Sequence, residues 1–175
     1  MSSAAAEQIE QPTFERDNES KGAEYLTFSL GGEEYGVDIL RVQEIRGWEP
    51  VTRIPNSPSY VKGVVNLRGA IVPIIDLREQ FHLGQVEYST TTVVVVLQVN
   101  NDSGQRVMGV VVEAVSDVVN ADRAQVQTTP AFGARVKTEF ISGLAASEGK
   151  MIMLLDVDKL LNSAELRDTE AENGE

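Results

Sequence analysis

At 175 residues, with 42% hydrophobic and 24% charged side chains, the chain can bury a full core and reads as a soluble globular domain. Its formal charge of −12 is concentrated at the two ends; Tyr25 to Leu161 holds 16 acids against 12 bases, which argues against a phosphate-binding surface and hence against a nucleic-acid partner. The absence of cysteine excludes disulfide scaffolds and thiol chemistry, and with no leader-like start or membrane-length apolar run a cytoplasmic protein without direct membrane insertion is expected.

Residues 1–23 and 163–175 are polar, acidic and without hydrophobic period, so both are expected to be disordered tails. The ordered part, 24–162, opens on Glu24 to Leu30, whose alternation of apolar and polar residues predicts a strand. Gly31-Gly32 turns it into a second strand, Glu33 to Val37. Asp38 is then expected to cap a short helix, Ile39 to Ile45, with Ile39, Val42 and Ile45 on one face and Gly47 as its stop. Trp48, the only tryptophan, fits either a binding anchor or a cover for the mouth of a barrel.

The next stretch, VKGVVNLRGAIVPIIDLREQF (61–81), returns eighty residues later as ISGLAASEGKMIMLLDVDKLL. Gly63 matches Gly143, Gly69 matches Gly149 and Asp76 matches Asp156. Gly69 and Gly149 follow charged residues between apolar runs, where a tight hairpin needs positive φ, so Arg68 and Glu148 are placed at hairpin tips. Arg68 fits either a solvated turn residue or a contact point on a rigid tip. Asp76 and Asp156 end their apolar runs and precede helix-like segments, Leu77 to Leu83 and Val157 to Leu161; each suits an N-cap, and Glu79 completes a capping-box pattern with Asp76.

The first elements recur as well. Thr91 to Val99 is a valine-rich strand, Asn100 to Gln105 a polar turn and Arg106 to Val112 the partner strand. Met108-Gly109-Val110 matches Tyr35-Gly36-Val37, and Ala114 to Val118 matches Arg41 to Ile45. Two such units form an internal duplication and not a stacking array. Short strands and glycine turns at this density predict small barrels or a sandwich. Several strands, such as Val93 to Leu97, are apolar on both faces, so the surplus face must be covered by a sister barrel or another protein. Pro73 cannot donate to a ladder and places its strand at an edge or a bulge.

No phosphate loop, dinucleotide fingerprint, GxSxG elbow or HExxH occurs. His82, the only histidine, suits a surface or packing role better than a metal site. One catalytic arrangement merits statement: Asp76 and Asp156, one per repeat, as the carboxylate dyad of a hydrolase. The neighbouring residues favour capping instead.

EEYGVDILRVQEIRG (33–47), TRIPNSP (52–58), KGVVNLRGAIVPIIDLR (62–78), TVVVVL (92–97) and RVMGVVVEAVSDV (106–118) together resemble the CheW family of bacterial chemotaxis coupling proteins. The resemblance covers the whole ordered part. It implies a mostly β fold of two five-stranded SH3-like barrels packed on each other, with a few short helices, the first unit near 24–87 and the second near 88–162, terminal strands open to exchange. It also implies a non-enzymatic adaptor without cofactor, linking chemoreceptor tips to the regulatory domain of the histidine kinase CheA, with further CheW copies in rings as additional partners, in arrays at the membrane. Carried over by motif, the receptor-facing groove between the barrels corresponds to Val42, Glu44, Gly63, Arg68, Gly69, Thr92, Val93 and Val94. The kinase contact corresponds to Arg106, Val107, Val110, Glu139 and Phe140.

Overall fold

The structure is a computed structural model that describes residues 23–83, 87–121 and 138–163. The expected tails therefore lie outside the described residues, apart from Ala23 in the first strand and Ser163 in the last helix. Strands β1 (Ala23–Leu30) and β2 (Glu33–Asp38) form the first hairpin, and a 3-10 turn, Ile39–Arg41, leads to β3 (Val42–Gly47). The repeated hairpin follows as β4 (Val61–Leu67) and β5 (Ala70–Asp76), closed by helix α1 (Leu77–Gln80). The second unit comprises β6 (Val93–Asn101), β7 (Gly104–Val112), β8 (Ala114–Ala121), a 3-10 turn Thr138–Phe140, β9 (Ile141–Ser147), β10 (Lys150–Leu155) and α2, residues 157–163.

These strands build two five-stranded sheets, in the orders β8-β1-β2-β10-β9 and β3-β6-β7-β5-β4. Substituting each strand by its repeat equivalent turns one order into the other, so the duplication holds at the level of topology. The sheets do not follow the expected split between 24–87 and 88–162. Each sheet takes the first hairpin of one repeat and the remaining three strands of the other, a larger exchange than a terminal strand. Each first hairpin is joined to the other repeat on both sides, by an antiparallel pairing, β1 with β8 or β6 with β3, and by a parallel one, β2 with β10 or β7 with β5. Gly36 and Gly109 lie at the parallel joints; a Cβ on Gly109 would stand 2.6 Å from Ile74 Cδ1 and 2.9 Å from Val94 Cγ1, so these side chains would have to shift to admit one.

The double-faced strands are explained by three apolar clusters. The largest lies between the sheets and joins Phe28, Leu30 and Tyr35 of one to Val95, Val99 and Val110 of the other, with Leu160 and Leu161 of α2. A second packs on the other face of the β3-β6-β7-β5-β4 sheet, around Val72, Ile74, Val94 and Val111, and a third on that of its sister, around Ile152 and Leu154. Successive residues of β6 thus serve different cores, which is why no apolar–polar alternation survives there.

Both predicted tips are two-residue hairpin turns with left-handed φ throughout, +51° and +87° at Arg68 and Gly69 and +50° and +77° at Glu148 and Gly149. Both aspartates cap their helices: Asp76 Oδ1 accepts from the Arg78 amide at 2.9 Å and Asp156 Oδ1 from the Lys159 amide at 3.0 Å. The capping box is absent, because Glu79 pairs with Lys62 and the Asp76 amide donates to Tyr60 O. Pro73 lies in the part of β5 that pairs with β4 alone; pairing with β7 begins at Ile74, so the missing donor costs no ladder bond.

The expected helix from Ile39 to Ile45 is a correction. Only Ile39–Arg41 turns, capped by Asp38, whose carboxylate accepts from the Leu40 amide at 2.9 Å; Val42–Gly47 is a strand paired to β6. The threefold spacing of Ile39, Val42 and Ile45 mimicked a helical face, while β-branched residues and an available partner strand favour extension. Its repeat equivalent from Ala114 is likewise a strand, β8. His82 is exposed in the turn after α1. Among the described residues, no helix is long and apolar enough to cross a membrane.

Candidate functional site

The second sheet ends on β3 and β4, and the chain ties these edges together at two points. Beyond β3, the Thr52 amide donates to Val64 O at 3.2 Å and the Val64 amide donates to Thr52 O at 2.8 Å. At the hairpin tip, Arg68 Nη2 reaches Glu44 Oε1 at 3.0 Å. The two charged members of the expected receptor site, twenty-four positions apart in sequence, thus meet across the barrel mouth. The Arg68 side chain is 82% exposed and Glu44 26%, so the pair is a solvent-facing feature that holds orientation more than stability. Arg46 continues the charged row, 3.9 Å from both Glu44 and Glu49.

A β-bulge shapes this edge. Val42 stands opposite Leu97, but Glu44 stands opposite Val96, one step short of regular register. Cross-strand partners share a face, so the bulge sends Val42 toward the inter-sheet core with Leu97 and turns Glu44 toward the barrel mouth with Val96. Ile45, 45% exposed and opposite Val95, returns to the inter-sheet side, as does Val93 opposite Gly47. Two adjacent surfaces result. One is an apolar inter-sheet rim of Val42, Ile45 and Val93. The other is a charged mouth of Glu44, Arg46 and Arg68 above a shallow apolar pocket floored by Leu67, Val94 and Val96.

The other expected receptor residues take different places. Gly63 is buried with φ +148°, and a Cβ there would sit 2.1 Å from Thr52 O. Its glycine is demanded by the chain's own Thr52–Val64 bridge and not by a partner helix. Gly69 has open space around it and serves the turn. Thr92 is 2% exposed, accepting at Oγ1 from the Ser89 amide and at its carbonyl from the Trp48 amide. Val94 is 6% exposed. Thr92 and Val94 shape the surface from beneath without forming it.

The five expected kinase residues do not gather into one surface. Arg106, Val107 and Val110 lie on β7, between β6 and β5, in the same sheet as Glu44 and Arg68. Glu139 and Phe140 belong to the 3-10 turn entering β9 in the other sheet. Val110 and Phe140 are core residues of the inter-sheet cluster, whereas Glu139 is exposed and Arg106 and Val107 are half-buried. Motif matching assigned them by position and carried no information on which side of the strand they face.

Behind the mouth lies a buried polar cluster. Arg78 donates to both carboxylate oxygens of Asp76 at 3.0–3.1 Å, Tyr88 Oη donates to Asp76 Oδ2 at 2.8 Å, and Arg78 Nη1 donates to Glu87 O at 2.7 Å. Tyr88 lies under the Arg78 guanidinium and against Trp48, ring centroids 4.3 Å apart. Burial works against the charge on Arg78, and the Asp76 hydrogen bonds and charge more than offset it, so its pKa is raised. Burial first, then the bond to Asp76, also raises the Tyr88 phenol. Trp48 packs half-buried on the second apolar cluster, with Tyr88 against its ring. Asp76 is fully committed here, whereas Asp156 caps α2 beyond the other sheet, so the two carboxylates form no proton-sharing dyad.

A second ion pair binds the two sheets. Arg41 forks onto Asp158 with bonds of 2.7 and 2.8 Å, and Asp158 also accepts from the Asn100 amide at 2.8 Å. The Arg41 hydrogen bond is the main cause that lowers the Asp158 pKa. Residues missed in sequence are two exposed apolar side chains, Ile45 on the β3 edge and Ile71 on β5 opposite Asn66; a helical assignment hid the first, and nothing in the apolar run of β5 marked Ile71, 65% exposed, as outward-facing.

The family model described as a CheW-like domain matches residues 24–165. A chemotaxis protein CheW from Klebsiella aerogenes is 51% identical over 148 residues, 85% of this chain and 87% of that protein. One from Rhizobium meliloti is 39% identical over 144 residues, 82% and 90% of the two chains. Among solved structures, the scaffolding protein TtCheW from Thermoanaerobacter tengcongensis superposes with a TM-score of 0.70 at 30% identity, covering 79% of this chain and 86% of that one. With the family model matching residues 24–165 and a relative 51% identical over 148 residues, the chain belongs to the CheW family of chemotaxis scaffold proteins.

Proposed function

We propose that this non-enzymatic chemotaxis scaffold joins the cytoplasmic tips of chemoreceptors to the histidine kinase CheA, with the receptor held at the β3–β4 edge of the second sheet. The observation that carries this reading is the Glu44–Arg68 pair, which sets two opposite charges on a rigid edge beside the apolar rim of Val42, Ile45 and Val93. Apolar contact supplies affinity and rim charges fix register, the division of labour expected where a helical hairpin lies along a shallow groove. Arg68, Gly69 and Glu44 meet the receptor directly, Val42 and Val93 line the groove, and Gly63, Thr92 and Val94 hold its shape. The regulatory domain of CheA docks elsewhere, on the sister sheet, with Glu139 as the accessible member of the expected set there. The protein works in the cytoplasm and reaches the membrane through the receptors, where further copies join it in rings.

The test is a pull-down in which a receptor cytoplasmic fragment and the CheA regulatory domain are offered separately to the purified protein. Capture of each alone, and of both together, is the expected result. Capture of neither overturns the reading.

A further inference from the structure

We propose that Asn66 is a positioning residue for Arg68, locking the hairpin tip so that the guanidinium is pre-oriented for its partner. This inference rests on the receptor-docking reading given above. Asn66 Oδ1 accepts a hydrogen bond from the Gly69 amide at 2.9 Å, across the one turn residue that carries the arginine.

The duplication supplies an internal control for what this bond is for. The second hairpin adopts the same turn, with φ values at Glu148 and Gly149 within 10° of those at Arg68 and Gly69, although its residue at the Asn66 position is Ala146. The turn therefore forms without the side-chain acceptor. What differs between the copies is the load at the tip. Arg68 is tethered to Glu44, while Glu148 pairs with none of the described residues. The copy with a charged tether has the additional lock, and the copy without one has alanine.

Physically, a left-handed tip on two strands twists and frays as a unit, and an 82% exposed arginine on it samples many orientations. The Asn66 bond ties Gly69 back to β4 and the Glu44 contact ties the guanidinium to β3, so the tip is fixed at its backbone and at its head group. A partner carboxylate then finds Arg68 already ordered, and less conformational freedom is lost on docking. Because the Gly69 amide stays in water when the acceptor is removed, the fold itself is little affected.

The experiment measures calorimetric binding of a receptor cytoplasmic fragment to the full chain and to Asn66→Ala, Asn66→Asp, Arg68→Ala and Ala146→Asn, with thermal midpoints for each. Asn66→Ala is expected to bind roughly three- to tenfold more weakly, the cost of ordering one more long side chain on docking, at an unchanged midpoint. Asn66→Asp, which restores the acceptor, binds within twofold of wild type, and Ala146→Asn leaves receptor binding unchanged. Wild-type affinity in Asn66→Ala together with weakened Arg68→Ala overturns the inference while the docking reading stands. So does a fall in midpoint that accounts for the lost binding, or failure of Asn66→Asp to rescue. Absence of binding by the wild-type chain overturns the docking reading and this inference with it.

Discussion

Gly63→Ala separates a glycine kept for the fold from one kept for a partner. The added Cβ would stand 2.1 Å from Thr52 O and 2.7 Å from Thr52 C, and these are backbone atoms that no rotamer change can move aside. Relief requires the 48–60 connection to shift away from β4, breaking the two hydrogen bonds between Thr52 and Val64. Each is worth about 0.5–1.5 kcal/mol net. Holding a non-glycine residue at φ +148° adds roughly 1–3 kcal/mol, giving a loss of about 2–6 kcal/mol, a large share of the roughly 5–15 kcal/mol that holds an ordinary domain. Urea denaturation followed by circular dichroism reads this directly, with Gly69→Ala as the reference, since that turn glycine has nothing within 4 Å and suffers only its positive φ, about 1 kcal/mol. A Gly63→Ala loss below about 1 kcal/mol, or one equal to that of Gly69→Ala, refutes the packing argument and returns Gly63 to the docking surface.

Asp158→Asn should lower stability at pH 7 by about 1–2 kcal/mol through loss of the forked pair with Arg41. Because the folded pKa of Asp158 lies below its unfolded value, that stability is present above the ordinary carboxylate range and disappears as pH falls through the folded pKa, so the wild-type and variant denaturation curves should converge in acid. Tyr88→Phe should cost about 1–2 kcal/mol and raise the mobility of Trp48, read as lower fluorescence anisotropy, because Asp76 loses one donor and the ring loses its anchor. A chain divided between residues 85 and 86 should still assemble from its two co-expressed halves, and neither half should fold alone, because each sheet needs strands from both. Folding of an isolated half, seen as dispersed amide resonances, contradicts the exchanged topology.

Local features were legible in the sequence and pairing across the chain was not. The tips at Arg68-Gly69 and Glu148-Gly149, the aspartate caps and the doubled apolar faces all follow from glycine placement and short-range pattern. The exchange of first hairpins was hidden, because alternation identifies a strand without naming its neighbour, and the parallel joints at Gly36 and Gly109 are long-range. β3 was misread since its half-buried positions, Val42, Glu44 and Arg46, mix apolar and charged residues, a mixture that makes sense only once Arg68 is seen across the mouth. Among the candidate residues, motif matching named Glu44 and Arg68, which the structure brings into contact, but could not tell that Thr92, Val94, Val110 and Phe140 are buried, because burial depends on which of two cores each residue faces.

The central claim is tested most directly by kinase activity in arrays reconstituted from receptor fragment, CheA and equal amounts of wild type, Arg68→Glu, or the swap Glu44→Arg with Arg68→Glu. Arg68→Glu should fold normally, judged by an unchanged thermal midpoint, and should lose most of the receptor-dependent kinase activation. The swap rebuilds an internal ion pair across the barrel mouth with its polarity reversed, and the account predicts that it also fails to activate, because the partner reads the charge at the tip. Full activation by Arg68→Glu, or restored activation by the swap, would contradict the account and reduce the Glu44–Arg68 pair to a brace within the barrel.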